Sequence, residues 1–325
     1  MSLMNSWCEK MFLRRCVAVA AVSSLLVLAA CGGDSGTSAP INNESESSSS
    51  TDLLNSSSSS SEESSSGVEE VSSSSQDGSS CSSSAALNCS VLLEGETGWS
   101  WDVPKECRFN PNIAYGSMTD SRDNKVYKTV KIGNQVWMAE NLNYADSVKT
   151  PSLLNRSWCY DDKAENCAVA GRFYTWAAAI DSVKLATDAD DPRNCGYFIK
   201  CSLPDTVYGV CPPGWHLPTN AEWETLFTEV GGSVYAGPIL KSQTGWFDNG
   251  GGTDVYGFSA LPVGNGARNA ANSFSSGENA YFWSATELNK INAIYVELFY
   301  DMSNAYNRNA FFFKDNALSV RCLKN

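Results

Sequence analysis

Nine cysteines between Cys81 and Cys322 constrain this chain more than any other feature, and residues 10–31 decide what they become. Lys10, Arg14 and Arg15 precede an apolar run from Val17 to Leu28, which Leu28-Ala29-Ala30-Cys31 closes. A basic stretch, a short apolar segment and small residues before a cysteine read as a bacterial lipoprotein signal. Residues 1–30 are expected to be removed, with Met11 the better start, and Cys31 to be diacylated as the mature N-terminus. The apolar run is about a dozen residues, short of the roughly 20 needed to span a bilayer. Attachment to the outer membrane, facing the periplasm or the cell surface, is therefore expected through the lipid on Cys31. In such an oxidising setting cysteines pair.

Spacing then proposes the pairs: Cys89 with Cys107, Cys159 with Cys167, and Cys195 with Cys201, leaving Cys211 and Cys322 to close the domain end to end. On the chain-entropy account that last loop is worth about 4 to 5 kcal/mol. Cys81 is left over. Zinc is disfavoured, because no C-x-x-C pair occurs and His216 is the only histidine.

From Gly32 to about Ser84 the chain is largely serine, and residues 34–80 carry nine acidic and no basic residues. Such a segment has too little apolar side chain to offset the entropy of ordering, so residues 31–85 are expected to form a disordered, solvated stalk. Much of the formal net charge of −13 sits there, and the chain has no basic footprint for nucleic acid.

Beyond the stalk the composition turns aromatic, glycine-rich and apolar, enough for one core of about two hundred residues. Residues 86–112, with Gly98-Trp99-Ser100-Trp101-Asp102 and Pro104-Lys105-Glu106-Cys107, are too short for a core and are expected to be a clipped subdomain before a head of residues 113–325. In the head, Val126–Ile132 and Gln135–Met138 flank Gly133-Asn134 and predict a hairpin. Phe173, Trp176, Ala177 and Ile180 predict a first helix over Gly171–Lys184. Thr219-Asn220-Ala221-Glu222 is a capping box that starts a second, with Trp223, Leu226, Phe227 and Val230 on one stripe and Gly231-Gly232 ending it. Strands are expected at Phe258–Val263, Tyr281–Thr286, Ile294–Tyr300, Ala310–Phe313 and Leu318–Leu323. Two helices followed by short antiparallel strands make an α+β class.

Four ordered motifs carry a family resemblance: Tyr127-Lys128-Thr129-Val130-Lys131-Ile132-Gly133-Asn134-Gln135-Val136-Trp137-Met138-Ala139-Glu140-Asn141-Leu142; Cys211-Pro212-Pro213-Gly214-Trp215-His216-Leu217-Pro218-Thr219; Tyr281-Phe282-Trp283-Ser284-Ala285-Thr286-Glu287; and Ser319-Val320-Arg321-Cys322. From about Thr119 onward the chain resembles the Fibrobacter succinogenes major paralogous domain. That resemblance implies a C-type-lectin-like fold on exported, often lipid-anchored proteins, and it supplies no catalytic residues.

More distantly, Leu217-Pro218-Thr219-Asn220-Ala221-Glu222-Trp223-Glu224 resembles the helix start of formylglycine-generating enzymes, but their R-G-G-S-W strand is missing. The calcium and sugar motifs of animal C-type lectins are missing too. Other chemistry finds no better footing. His216 lies in an apolar run and reads as structural, Asp161-Asp162 and Asp190-Asp191 read as solvated loop charges, and Gly264-Asn265-Gly266 reads as a turn rather than a phosphate loop. Asp248, Asn249 and Asp254 are weak candidates for Ca²⁺, in a spacing that fits no EF-hand.

Function is signalled by residues 264–313, where asparagine, tyrosine, serine and arginine crowd together in the manner of recognition surfaces. Asn265, Arg268, Asn269, Tyr300, Tyr306 and Arg308, with Trp246, are the candidate ligand-binding residues. Trp158, Tyr160 and Trp246 are expected to be exposed and to stack on sugar rings. The expected protein is thus a lipid-anchored, non-enzymatic binding or adhesion module without a cofactor, its partner a polysaccharide or protein outside the membrane. An enzyme related to the formylglycine-generating group and a purely structural envelope component are the alternatives.

Overall fold

Val126–Ile132 places Tyr127, Val130 and Ile132 inside and leaves Val126 and Lys131 in solvent. In the computed structural model, which describes residues 87–267, 273–308 and 312–325, this segment is β2. It pairs with β3 (Gln135–Met138) in the expected register, Ile132 opposite Gln135. Gly133 turns the chain at φ 57°, a left-handed conformation that favours glycine. β1 (Gly116–Thr119) adds to the outer edge of β2. On the other side, β13 (Leu323–Lys324) lies between β3 and β6 (Trp215–His216), giving the order β1-β2-β3-β13-β6.

On this sheet packs α5 (Asn220–Glu229), the longest helix among the described residues. Its capping box is complete: the Glu222 amide donates to Thr219 Oγ1 at 3.3 Å and the Thr219 amide donates to Glu222 Oε2 at 2.8 Å. Trp223, Leu226, Phe227 and Val230 are buried on one stripe, and Trp223 meets Trp137 at 4.6 Å between ring centroids.

A second sheet, β11-β10-β9, comprises β9 (Asn279–Glu287), β10 (Ala293–Phe299) and β11 (Ala305–Arg308). β9 reads as a nearly continuous apolar run because both its faces are covered. Ala280 and Phe282 point to the cluster around Trp223 and Phe258, whereas Tyr281, Trp283 and Ala285 point to a second cluster around Tyr174, Trp176 and the Cys211–Cys322 bridge. The family motifs meet at this junction. The Met138 amide donates to the Cys322 carbonyl at 3.0 Å, the Trp283 amide to Ser319 at 3.1 Å and the Ala285 amide to Pro218 at 2.8 Å, so the motif residues hold the head together.

The third sheet, β4-β5-β12-β7-β8, corrects the expected first helix. Phe173–Thr175 is β5, between β4 (Ser157–Trp158) and β12 (Ala317–Leu318). Only then do α3 (Trp176–Ala179) and α4 (Ser182–Ala186) follow, broken at Asp181 with φ 53°. Aromatic and β-branched residues beside two strand partners override the helical spacing. Likewise Gly264-Asn265-Gly266 is not a turn, because Asn265–Gly266 forms β7, paired with β12 and with β8 (Ser273–Phe274). Phe258–Val263 is not the expected strand, since Ser259 turns the chain at φ 51° and only Ala260 bridges, to Lys241, while Leu318–Leu323 resolves into β12 and β13 joined by a short segment. Of Ala310–Phe313, Ala310 and Phe311 lie outside the described residues, and Phe313 bridges Asn292.

Three more short helices, α1 (Cys89–Leu92), α2 (Ala164–Ala170) and α6 (Ala236–Leu240), complete an α+β arrangement of predominantly antiparallel pairing with more helices than the two expected. Four disulfides are present among the described residues: Cys89–Cys107, Cys159–Cys167, Cys195–Cys201 and Cys211–Cys322. Residues 87–112 do not stand apart. They belong to the same compact unit as the head, with Trp99 and Trp101 packed against Phe173, Leu261 and Val263. The signal segment, Cys31, the serine-rich linker and Cys81 lie outside the described residues.

Candidate functional site

β4 carries Trp158 opposite Phe173, and two residues later the chain presents Tyr160. Between them Cys159 is tied to Cys167, and Arg172 donates to Ser157 Oγ at 2.9 Å, so the loop that displays both rings is fixed from behind. Trp101 lies 4.7 Å from Tyr160, and Trp99 meets Trp101 edge-on at 5.0 Å. Trp99, Trp101, Trp158 and Tyr160 are all half-buried and pack against the Phe173 cluster, and the Trp99 Nε1 is buried without a hydrogen-bond partner. The β7–β8 hairpin borders them: Tyr160 OH donates to Ser276 Oγ and the Asp161 amide to Ser273 Oγ, both at 3.1 Å. Two segments more than fifty residues apart thus build one aromatic face, rimmed by serine hydroxyls.

The expected ligand-binding residues do not assemble there as a set. Trp246 is corrected: it is 1 % exposed, its Nε1 donates to Ser242 Oγ at 3.0 Å, and its ring joins the Trp223 cluster because the positive-φ Gly245 turns the chain inward. Asn265 is buried in β7. Tyr300 packs edge-on against Phe247 at 5.3 Å and its carbonyl accepts from Lys241 Nζ, making it half core. Tyr306 is half-buried on β11 opposite Glu297. Arg308 sits opposite Tyr295 in register. The Arg308 side chain, and Arg268 and Asn269 between β7 and β8, lie outside the described residues.

The calcium candidates are corrected as well. Asp254 is fully buried, and its carboxylate accepts from the Ser259 amide at 2.7 Å and from Ser259 Oγ at 2.6 Å. Burial pushes its carboxyl up to about 6 against those two hydrogen bonds. Asp248 and Asn249 are exposed on a 3₁₀ turn, and no group of three His, Cys, Asp or Glu side chains suited to a metal occurs among the described residues. His216 is buried between two oxygens, Glu222 Oε1 at 2.9 Å from Nε2 and Asn325 Oδ1 at 2.8 Å from Nδ1. Its place is structural.

Trp99 and Trp101 were not among the residues expected to bind, although Gly98-Trp99-Ser100-Trp101 was a visible signal. Its meaning depended on contacts with Tyr160 and Phe173 that no local pattern encodes. Together the fold and this face define a disulfide-bonded α+β module of three small sheets with a surface of clustered aromatic rings. Residues 130–324 match the family described as the Fibrobacter succinogenes major domain. The chain belongs to that family. No curated protein and no solved structure matches it.

Proposed function

We propose that this chain is a non-catalytic, C-type-lectin-like binding module, tethered to the outer membrane by a lipid on Cys31, and that its ligand is an extracellular or envelope polysaccharide. The observation that carries this is the aromatic face of Trp99, Trp101, Trp158 and Tyr160, held by a disulfide and rimmed by Ser273 and Ser276. Rigid half-buried rings offer flat apolar area to the faces of sugar rings at little entropic cost, and hydroxyls at the rim suit sugar hydroxyls. A lectin-like fold is supported by the capped helix against a sheet, the short strands and the disulfide returning the C-terminus to the segment before β6. Against an enzyme of the formylglycine-generating type stand the pairing of eight cysteines and the occupation of both nitrogens of His216. Among the described residues no helix is long and apolar enough to cross a membrane, which is compatible with a lipid anchor.

The test is retention of the full-length chain on a panel of immobilised neutral and acidic polysaccharides. Trp101→Ala and Trp158→Ala should each weaken retention about tenfold or more, equivalent to ~1.4 kcal/mol of lost stacking. Retention unchanged in both variants would remove the basis for this reading.

A further inference from the structure

Among the described residues two arginines, Arg321 and Arg108, are closed off from solvent, and they are treated differently. Arg321 is 0 % exposed and each nitrogen has an acceptor: Nε donates to Asn141 Oδ1 at 2.7 Å, Nη2 to the Ser259 carbonyl at 2.8 Å and Nη1 to the Met138 carbonyl at 3.3 Å. Arg108 is 2 % exposed, yet it donates only from Nη2 to the Ser100 carbonyl at 2.9 Å and, weakly, from Nη1 to Thr244 Oγ1 at 3.4 Å. Its Nε has no partner, and among the described residues no carboxylate forms an ion pair with it. Burial lowers the guanidinium to about 10, against a partial opposing pull from Glu96. A buried cation without a counter-charge is a substantial cost that a ligand oxyanion would relieve.

Arg108 lines a cleft of about 400 Å³ between the Cys89–Cys107 segment and β2. The cleft also holds Lys128, whose Nζ sits 4.2 Å from the ring centre of Phe109 and 4.7 Å from that of Tyr115, with no carboxylate within ion-pairing distance among the described residues. Glu106 is the one acid on its wall; it is exposed and pairs with neither cation. A smaller cleft of about 160 Å³ shares Arg108 and Phe109, but there Lys105 is matched by Glu140 at 2.6 Å and Lys125 by Asp123 at 2.7 Å. Of these two clefts, only the larger brings the unmatched Arg108 together with a second unmatched cation, Lys128, although from Cys81 onward the chain carries 26 acidic against 20 basic residues. The cleft adjoins the aromatic face, since the Arg108 guanidinium lies 4.8 Å from the centre of the Trp99 ring.

We propose that the larger cleft binds the carboxylate of a uronic-acid residue, with Arg108 and Lys128 supplying the charge and the Trp99–Trp101 face carrying neighbouring sugar rings. This rests on the polysaccharide reading and narrows it to acidic chains. The volume suits a small-molecule site, and Phe109 and Tyr115 supply the apolar walls such sites use. A guanidinium donor left over after internal bonding recognises a carboxylate by direct hydrogen bonding, while the ammonium acts as a point charge.

The experiment is calorimetric titration of the full-length chain with trimers of galacturonate, glucuronate and mannuronate, each against its neutral counterpart. At least one acidic trimer should bind tenfold or more tightly than its neutral counterpart, and weaken as salt rises from 50 to 500 mM. Lys128→Ala should reduce that affinity at least tenfold without changing the thermal midpoint or the binding of neutral trimers; Arg108→Gln, which also removes a buried charge and so shifts the thermal midpoint, should reduce acidic-trimer affinity at least tenfold as well. Equal binding of acidic and neutral trimers, or acidic binding indifferent to Lys128→Ala, overturns the cleft assignment. Trp101→Ala separates the two levels. If neutral sugars still bind and depend on Trp101 the polysaccharide reading stands without the cleft, whereas binding of no sugar at all sinks both.

Discussion

Glu222 holds His216 with the same carboxylate that caps α5: Oε1 lies 2.9 Å from the imidazole Nε2, while Oε2 accepts from the Thr219 amide at 2.8 Å and from its hydroxyl at 2.9 Å. Both imidazole nitrogens face oxygens, the arrangement an imidazolium prefers. The hydrogen bond to Glu222 raises His216 above its ordinary 6.5, although burial pulls the other way. For Glu222, burial acts upward, but the hydrogen bonds from His216 and Thr219 outweigh it and hold the carboxyl below its ordinary 4.5.

The pair therefore predicts a pH window. The His216 contribution is fully present below 6.5 and is lost as pH rises through the higher folded value; the Glu222 contribution is present above 4.5 and is lost as pH falls through the lower folded value. The difference in melting temperature between the native chain and His216→Gln should be widest between pH 4.5 and 6.5 and narrow on both sides. A difference that is flat from pH 4 to 9 counts against the ion pair. Thr219→Ala should cost about 1 kcal/mol through the lost cap.

Asp254 gives an opposite substitution effect. An acid whose folded value is raised to about 6 from 3.8 contributes stability that is fully present below 3.8 and lost as pH rises through about 6. Asp254→Asn keeps an acceptor for the Ser259 amide and removes the buried charge, so above pH 6 the variant should be the more stable by about 1–3 kcal/mol. Urea midpoints at pH 5 and pH 8 read this directly, and a variant weaker than the native chain at pH 8 contradicts it.

Disulfide removal should follow loop length. Cys211 and Cys322 close a separation of 111 residues, and replacing both with serine should cost about 4 to 5 kcal/mol on the chain-entropy account. Cys159–Cys167 and Cys195–Cys201 close 8 and 6, for which the same account gives only about 2 to 2.5 kcal/mol each. Calorimetric unfolding of the three double variants ranks them. Equal losses would mean that native contacts around each bridge, rather than the closed loop, set its contribution.

Trp223→Ala should cost about 3 to 5 kcal/mol, because the ring is wholly buried against Trp137 and Phe282. Tyr306→Ala, on the half-exposed face of β11, should cost no more than about 1–2 kcal/mol. Tyr300→Ala should fall between them, since that ring packs on Phe247. Denaturant midpoints of the three variants give the order, and Tyr306→Ala unfolding as readily as Trp223→Ala would place Tyr306 in the core.

Asn265, Tyr300 and Tyr306 show why the recognition region was only partly legible. Composition marks asparagine and tyrosine as surface-adaptable, but it does not say which of them face in. Asn265 is buried because Gly266 and Ala317 align in register, and Tyr300 is half-buried because Phe247 reaches it from another loop. The same limit hid Arg108, whose cost and use depend on which carboxylates are absent around it.

What the sequence determined by itself is local. The Gly133-Asn134 hairpin, the Thr219–Glu222 capping box and the short-loop cysteine pairs need partners only a few residues away, so residue type and spacing suffice. Only the tertiary structure decided that Phe173–Thr175 would be a strand, that Trp246 would turn inward, that Trp101 would meet Tyr160, and that the Nε of buried Arg108 would be left without a hydrogen-bond partner. Each of those outcomes is set by groups brought together across long stretches of chain, where packing and desolvation outweigh local preference.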